Sequence, residues 1–491
     1  MGKKRSGRAP SRPSGITWRY AAIVFVLLGA GRALAEPPAR AELQDRLSSL
    51  LAKVPKGTQV GLAVAEVGSG AEWFAYEANT PLEPASVQKL FVTAAALERF
   101  GPAFQYQTRV YVWGDELWVV GAGDPGLGDQ RIAERHGRDS DHFFEEWAAA
   151  LRARGVTALT KVVLDDTVFD EQVRHPDWPD SQADRWYQAP VGGLNLNDNC
   201  LDVTVVVRGG EIELRLQPHL SPGLVSNTLK RGKKQRPILK RPAGSEVFQL
   251  SGTVANGGPL DPVAVNQPTI FFAHALQRAL EKRGIAVRGD IVRRQLTDGE
   301  LASATLLATH TTDLADVLWR CNTFSQNLFA ECLLKSLAAY APDGRRSGAA
   351  GTFEAGHEVV QATLRQLGVE LRGATLRDGS GLSHENRATA AQFVRLLLRM
   401  YRHPQAELFM QSLARAGELG SMQRRYNDPL LRGRLRGKTG TLAGVHTLAG
   451  YITRPDNTVL AFALLINGKC SADLPAQVCR TLVTAGDTGP R

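Results

Sequence analysis

Pro84-Ala85-Ser86-Val87-Gln88-Lys89, running on through Leu90 to Phe100 and Gly101, is the stretch on which the fold turns. Leu90, Ala94 and Leu97 recur at helical spacing and Gly101 supplies a stop, so a helix is predicted from Ser86 to Phe100. Ser86 and Lys89 are three apart and share one face of it. A serine hydroxyl is a weak nucleophile and needs a base beside it. A lysine amine is such a base only where burial or a neighbouring cation lowers its pKa. The helix start also offers free N–H groups to a developing oxyanion. Taken alone, the same residues read equally as a capping serine and a surface lysine.

Two further clusters change the balance. Ser325-Gln326-Asn327 opens the segment SQNLFAECLLKSL, where a hydroxyl can relay protons and an amide can hold a peptide carbonyl. Lys438-Thr439-Gly440-Thr441 precedes a predicted strand. Its lysine supplies a fixed charge, its threonines can bind a carboxylate, and Gly440 lets a substrate backbone approach closely. Each cluster has a bland reading, a helix cap in one case and a turn into an edge strand in the other. Together they run in the order S-x-x-K, S-x-N, K-T-G, the set of penicillin-binding proteins and β-lactamases, with S-x-N in place of S-D-N.

Working outward, 491 residues exceed one ordinary core. The net charge of +10 raises the question of nucleic acid. Seven of the cations lie in the first 35 residues, which carry no acid, so the remainder has only +3. That basic head precedes the apolar run Tyr20 to Gly31 and then Ala33-Leu34-Ala35, the pattern of a secretory signal over 1–35. Twelve apolar residues are short for a spanning anchor, which needs roughly 20. An exported protein, periplasmic or otherwise extracytoplasmic, is expected, and nucleic acid is not. Five cysteines remain, of which Cys470 and Cys479 flank a helix start and could pair, while Cys321 and Cys332 sit too far apart on one predicted helix. No spacing resembles a zinc site.

Along the chain, 41–55 reads as an amphipathic helix, followed by two strands and the Ser86 helix. From about 105 to 300 short strands dominate, with one helix near 141–154. This mostly β material contains Lys230 to Arg241, with seven Lys or Arg. Its simplest reading is a solvated loop tip. Its functional reading is attraction to anionic wall polymer or a membrane surface. Helices are predicted at 313–340, 353–368, 389–402, 406–415 and 473–485, with a hairpin over 445–467. Strands at both ends with helices between them predict an α+β domain interrupted by an insert.

The chain resembles the D-alanyl-D-alanine carboxypeptidase/endopeptidases of the three-domain, class C penicillin-binding type over about 41–485. Besides the three clusters, the resemblance rests on GAGDPGL (121–127), VVLDDTVFD (162–170), APVGGLNLNDNC (189–200), RDGSGLS (377–383) and GKTGTLAGVHTLAGYI (437–452). It implies a penicillin-recognising α+β domain, β-lactamase-like, formed by 36–105 and 301–491, with two mostly β subdomains inserted at 106–300. It implies peptidoglycan stem peptides as substrate and β-lactam antibiotics as covalent inhibitors, with neither cofactor nor metal. By that analogy Ser86 is the nucleophile, Lys89 its base, and Ser325 and Lys438 the proton relay. Asn327 would hold the substrate amide, and Lys438, Thr439 and Thr441 its carboxylate, with Gly440 beside them. Asp165 or Asp166 would meet a substrate ammonium unless they are turn residues. Relatives often carry arginine where His384 stands, three before Arg387, and a longer polar residue at Ala443. The competing readings are a serine β-lactamase, for which no clear E-x-x-x-N deacylation motif is seen, and a non-catalytic wall-binding homologue.

Overall fold

Strands from opposite ends of the chain meet in one sheet. Gln59–Glu66 lies between Glu72–Tyr76 and Val459–Asn467, and the sheet continues through Val445–Thr453 and Leu435–Leu442 to Ala414–Arg415, antiparallel throughout. These strands belong to a computed structural model that describes residues 2, 38–221 and 223–485. The secretory signal expected at 1–35 lies, apart from Gly2, outside the described residues. Among those described, no helix is long and apolar enough to cross a membrane.

Alternation along the strands sorts their side chains onto two faces. Val60, Leu62, Val64, Leu460, Phe462, Leu464 and Ile466 pack against Leu43, Leu47, Val478 and Leu482 of the helices Pro38–Leu51 and Leu474–Thr484. The intervening Ala63, Ala65, Ala461 and Ala463 are small and share one apolar cluster with the helices Lys89–Phe100, Leu314–Thr323, Asn327–Ala339, Phe353–Gln366 and Ala390–Tyr401, the last of which packs directly on the strands. The expected α+β architecture is present.

The helix predicted over 313–340 is two helices. They are separated at Phe324–Gln326, where Ser325 takes φ +62° in the left-handed region. Cys321 and Cys332 therefore lie on different helices. All five cysteines are free thiols, so the pairing considered for Cys470 and Cys479 is absent. Cys479 is fully buried in the cluster beneath the sheet, whereas Cys470 touches only its edge.

The residues between the two parts build a five-stranded sheet in the order Ala286–Arg293, Ala158–Asp165, Glu116–Val120, Gln105–Trp113, Thr305–Asp313. The first three strands run parallel and the last two pair antiparallel. Thr305–Asp313 lies beyond the boundary expected at 300, yet it pairs with Gln105–Trp113 where the chain enters this sheet. Smaller sheets form around Cys200–Arg208 and Phe248–Val254, and one apolar cluster joins all three sheets. The single helix expected here, His142–Ala153, has a companion in Pro268–Lys282. Lys230–Arg231 and Arg236–Lys240 are strands rather than a loop tip, and Arg241 is buried with its guanidinium donating to the carbonyls of Ala183, Ala264, Pro242 and Ser245.

Candidate active site

Ser86 sits in a 3-10 turn, Ala85–Gln88, that leads into the helix beginning at Lys89. Ala85 is fully buried with φ +45°, a conformation costly for a side chain with Cβ and typical of sites that the surrounding structure over-determines. Three contacts enforce it. The Pro84 carbonyl accepts from Thr447 Oγ1 at 2.8 Å. A Cβ on Gly381 would fall 1.9 Å from the Ala85 carbonyl oxygen. A Cβ on Gly440 would fall 2.9 Å from Ser86 N and 2.1 Å from Thr447 Oγ1. Gly440 is thus required for the strand to lie against the Ser86 turn. This is a different use of its bareness from the substrate approach expected of it.

Lys89 Nζ is completely buried and lies 2.9 Å from Ser86 Oγ, 2.7 Å from Asn327 Oδ1 and 2.7 Å from the Ser380 carbonyl oxygen. The last two atoms can only accept. A neutral amine has two N–H groups for them and one lone pair left, which faces the Ser86 hydroxyl. Burial lowers the Lys89 pKa to about 8, against the opposing pull of Cys321, Glu331 and Asp378. The neutral amine is therefore accessible near physiological pH.

Lys438 Nζ, also fully buried, donates to Ser325 Oγ at 2.7 Å and to the Thr439 carbonyl at 2.6 Å. Burial pushes its pKa well down, and the like charge of Lys89 pushes the same way. The left-handed turn at Ser325 turns its hydroxyl toward Lys438 while Asn327, two residues on, reaches Lys89. Ser86, Lys89, Ser325, Asn327 and Lys438 thus converge, as the sequence predicts. Thr439 is buried next to them and Thr441 is exposed farther along the same strand.

Asn327 differs from expectation. Its carbonyl is held by Lys89, and its NH₂ donates to the Tyr187 carbonyl at 2.7 Å. Both ends are committed to protein groups, so Asn327 orients Lys89, and a substrate amide would have to displace Tyr187. Asp165 and Asp166 are likewise engaged. Asp165 accepts from Thr167 and from the Leu296 N–H, and Asp166 from Thr269 and Arg293. Both thus serve as acceptors at the strand end, and Asp166 keeps its Oδ1 buried without a hydrogen-bond partner. His384 pairs with Glu83 at 2.8 Å, and Arg387 donates to the His384 and Asn386 carbonyls.

The structure adds a layer that sequence reasoning missed. Glu331 is fully buried, and its two oxygens accept from the Gly379 and Ser380 N–H groups at 2.7 and 2.8 Å. Burial raises its pKa to about 8, with neighbouring Asp378 pushing the same way. Asp378 folds the same loop, accepting from the Gly381 and Ser383 N–H groups, from Asn386 and from Trp178 Nε1. This loop presents the Ser380 carbonyl to Lys89. The motif RDGSGLS was visible in the sequence, but a glutamate in the middle of an apolar helix was its only hint of a partner. Among the described residues no group of His, Cys, Asp or Glu could hold a metal ion.

A serine hydroxyl 2.9 Å from one buried lysine, with a second buried lysine on the strand that passes beside the serine turn, matches a known group of enzymes. The model of the D-Ala-D-Ala carboxypeptidase 3 (S13) family matches residues 43–486. The chain belongs to the S13 family. It is 29% identical to the D-alanyl-D-alanine carboxypeptidase of Actinomadura sp. (strain R39), covering 95% of this chain and 89% of that one. It is 24% identical to the D-alanyl-D-alanine carboxypeptidase DacB of Haemophilus influenzae, covering 88% and 90%. The crystal structure of penicillin binding protein 4 (dacB) from Haemophilus influenzae superposes with a TM-score of 0.71, covering 89% of this chain and 98% of that one at 24% identity. The fold of this S13 chain is therefore the penicillin-binding, β-lactamase-like α+β fold with an inserted, sheet-rich region.

Proposed function

We propose that the chain is an exported serine DD-peptidase that acts on peptidoglycan stem peptides through an acyl-enzyme on Ser86. The observation that carries this reading is the Lys89 amine, buried, depressed in pKa and 2.9 Å from Ser86 Oγ. Ser86 Oγ attacks the penultimate D-Ala carbonyl and gives its proton to Lys89. The Ser86 and Thr441 N–H groups receive the oxyanion, a role supported by the close passage of the Gly440 strand beside Ser86 N. The C–N bond to the terminal D-Ala breaks as Ser325 and Lys438 deliver a proton to the departing amine. Lys438, Thr439 and Thr441 hold the terminal carboxylate. Water then attacks the ester, Ser86 regains its proton and the shortened stem leaves. The same steps on a D-Ala cross-link give an endopeptidase. A β-lactam would open on Ser86 and remain there.

The signal pattern of residues 1–35 supports export, and a cell-wall substrate supports work outside the cytoplasm, in the periplasm where an outer membrane exists. We read 36–105 and 301–491 as the penicillin-recognising part and 106–300 as its insert, with Gln105 and the strand Thr305–Asp313 at the junctions completing the insert's sheet. The decisive experiment is intact-protein mass spectrometry after incubation with a labelled penicillin. One long-lived adduct mapped to the Ser86 peptide is expected. Rapid return to unmodified protein with hydrolysed penicillin would instead indicate a β-lactamase, and a label elsewhere would overturn the nucleophile.

A further inference from the structure

The basic stretch that the peptidase reading leaves unused is organised by the fold. Thr253, in the strand Phe248–Val254, pairs with Arg236 on one side and with Lys230 on the other. Ser251 pairs with Ile238, and Gln249 with Lys240. Directly paired residues project from the same face of a sheet. Phe248, Leu250 and Val254 point the opposite way, into the apolar cluster. The outer face therefore presents Lys230, Arg236, Ile238 and Lys240 over a floor of Gln249, Ser251 and Thr253. Lys233 and Lys234 are exposed in the connection between the two basic strands. No acid occurs between Glu213 and Glu246. Among the described residues, none of these lysines nor Arg236 forms an ion pair. Ile238 is 54% exposed between two cations on its own strand.

We propose that this sheet face docks the enzyme reversibly on an anionic lipid bilayer. Charge complementarity supplies the attraction, which accumulates with each cation close to the surface. The exposed Ile238 selects lipid over a soluble polyanion. Phosphates in water offer a β-branched apolar side chain nothing, whereas the headgroup boundary accepts it while the flanking Arg236 and Lys240 stretch back to the phosphates. One weak apolar anchor plus a polybasic patch gives binding that is marginal, reversible and salt-sensitive. The face is independent of the Ser86 site, so this proposal does not depend on the peptidase reading.

The test is co-sedimentation of the exported protein with vesicles of phosphatidylcholine alone and of phosphatidylcholine mixed with phosphatidylglycerol. Parent and variants share the same N-terminal form, so any contribution from residues 1–37 cancels. Binding is expected only to the phosphatidylglycerol vesicles and should disappear as salt rises from about 0.1 to about 1 M. Replacing Lys230, Lys233, Lys234, Arg236 and Lys240 with glutamine should weaken it at least ~100-fold, and Ile238→Ser alone by roughly three- to tenfold. Labelling by penicillin should be unchanged in both variants, which also reports that they are folded. Equal binding to both vesicle types, or no binding to either, overturns the proposal. So does Ile238→Ser binding like the parent while soluble poly(glycerol phosphate) competes fully, which would assign the face to a wall polymer.

Discussion

At the scale of single residues, the chemistry is decided by which protons Lys89 can hold. Its N–H groups have two obligate acceptors, Asn327 Oδ1 and the Ser380 carbonyl, and its lone pair has one donor, Ser86. Acylation by a penicillin should therefore rise with pH through a midpoint near 8, as the neutral amine forms. The linkage to stability has the same sign. A lysine depressed from 10.5 to about 8 on folding disfavours the folded state below 8, and that penalty is relieved as pH rises from about 8 toward 10.5. The charged or titratable groups around this amine are Cys321, Glu331, Asp378 and Lys438. Glu331→Gln removes a carboxyl whose ionised form raises the Lys89 pKa, so the acid limb should move to lower pH. Its amplitude should fall about 10- to 100-fold, because one of two N–H acceptors is lost and the Ser380 carbonyl drifts. Stopped-flow acylation across pH reads both effects, and an unmoved limb would reduce Glu331 to a purely structural role. Ser86→Ala should abolish labelling and reduce D-alanine release by about 10⁴-fold or more.

At the scale of elements, two backbone features set the site. The break between Leu314–Thr323 and Asn327–Ala339 depends on a left-handed residue at Ser325, which glycine adopts more readily than serine. Ser325→Gly should leave the melting temperature within a degree or two while acylation falls about 100-fold, separating the hydroxyl from the turn. The contact of the Leu435–Leu442 strand with the Ser86 turn depends on Gly440. Gly440→Ala should cost ~1–3 kcal/mol in denaturant unfolding and lose most acylation, because the strand must withdraw from Ser86. The periodicity of 313–340 concealed the break. The second helix is buried nearly all round and the first along most of its length, and one left-handed residue leaves no mark in a hydrophobic pattern. The helix Pro268–Lys282 was legible in principle, with Pro268 at its first turn and Phe271, Phe272, Ala275, Leu276, Ala279 and Leu280 at helical spacing. The surrounding run of short strands obscured it.

At the scale of the whole molecule, the insert reaches back to the S-x-N turn. Asp198, itself at φ +56°, accepts from Arg320 and Gln326, and Arg320 also holds Asp129 at 2.6 Å. Burial holds the Asp198 pKa well above the usual carboxylate range, with Arg320 opposing it. Arg320→Ala leaves the buried Asp129 and the part-buried Asp198 without their cation and should cost ~2–4 kcal/mol. A carboxyl whose folded pKa is raised loses stability as pH rises from its unfolded value toward its folded one. Removing Arg320 raises it further, so the variant should be less impaired near pH 5 than near pH 8, as denaturant melts at the two values will measure. Acylation should fall with it, because the Ser325 turn loses its support.

The order and chemistry of the three motifs were legible along the chain because a nucleophile, a base and a charged strand need particular side chains at short local spacing. The α+β class followed from strand patterns at both ends. What folding alone decided is everything carried by long-range contact. Asn327 is tied to Lys89 and Tyr187, Gly440 serves the Ser86 turn, Glu331 grips the loop at 379–380, and Lys230, Arg236 and Lys240 share one sheet face. Local spacing records which groups are present on a turn or strand. It does not record which distant backbone N–H or carbonyl each buried polar atom must find, and in a dry interior that pairing sets both geometry and proton affinity.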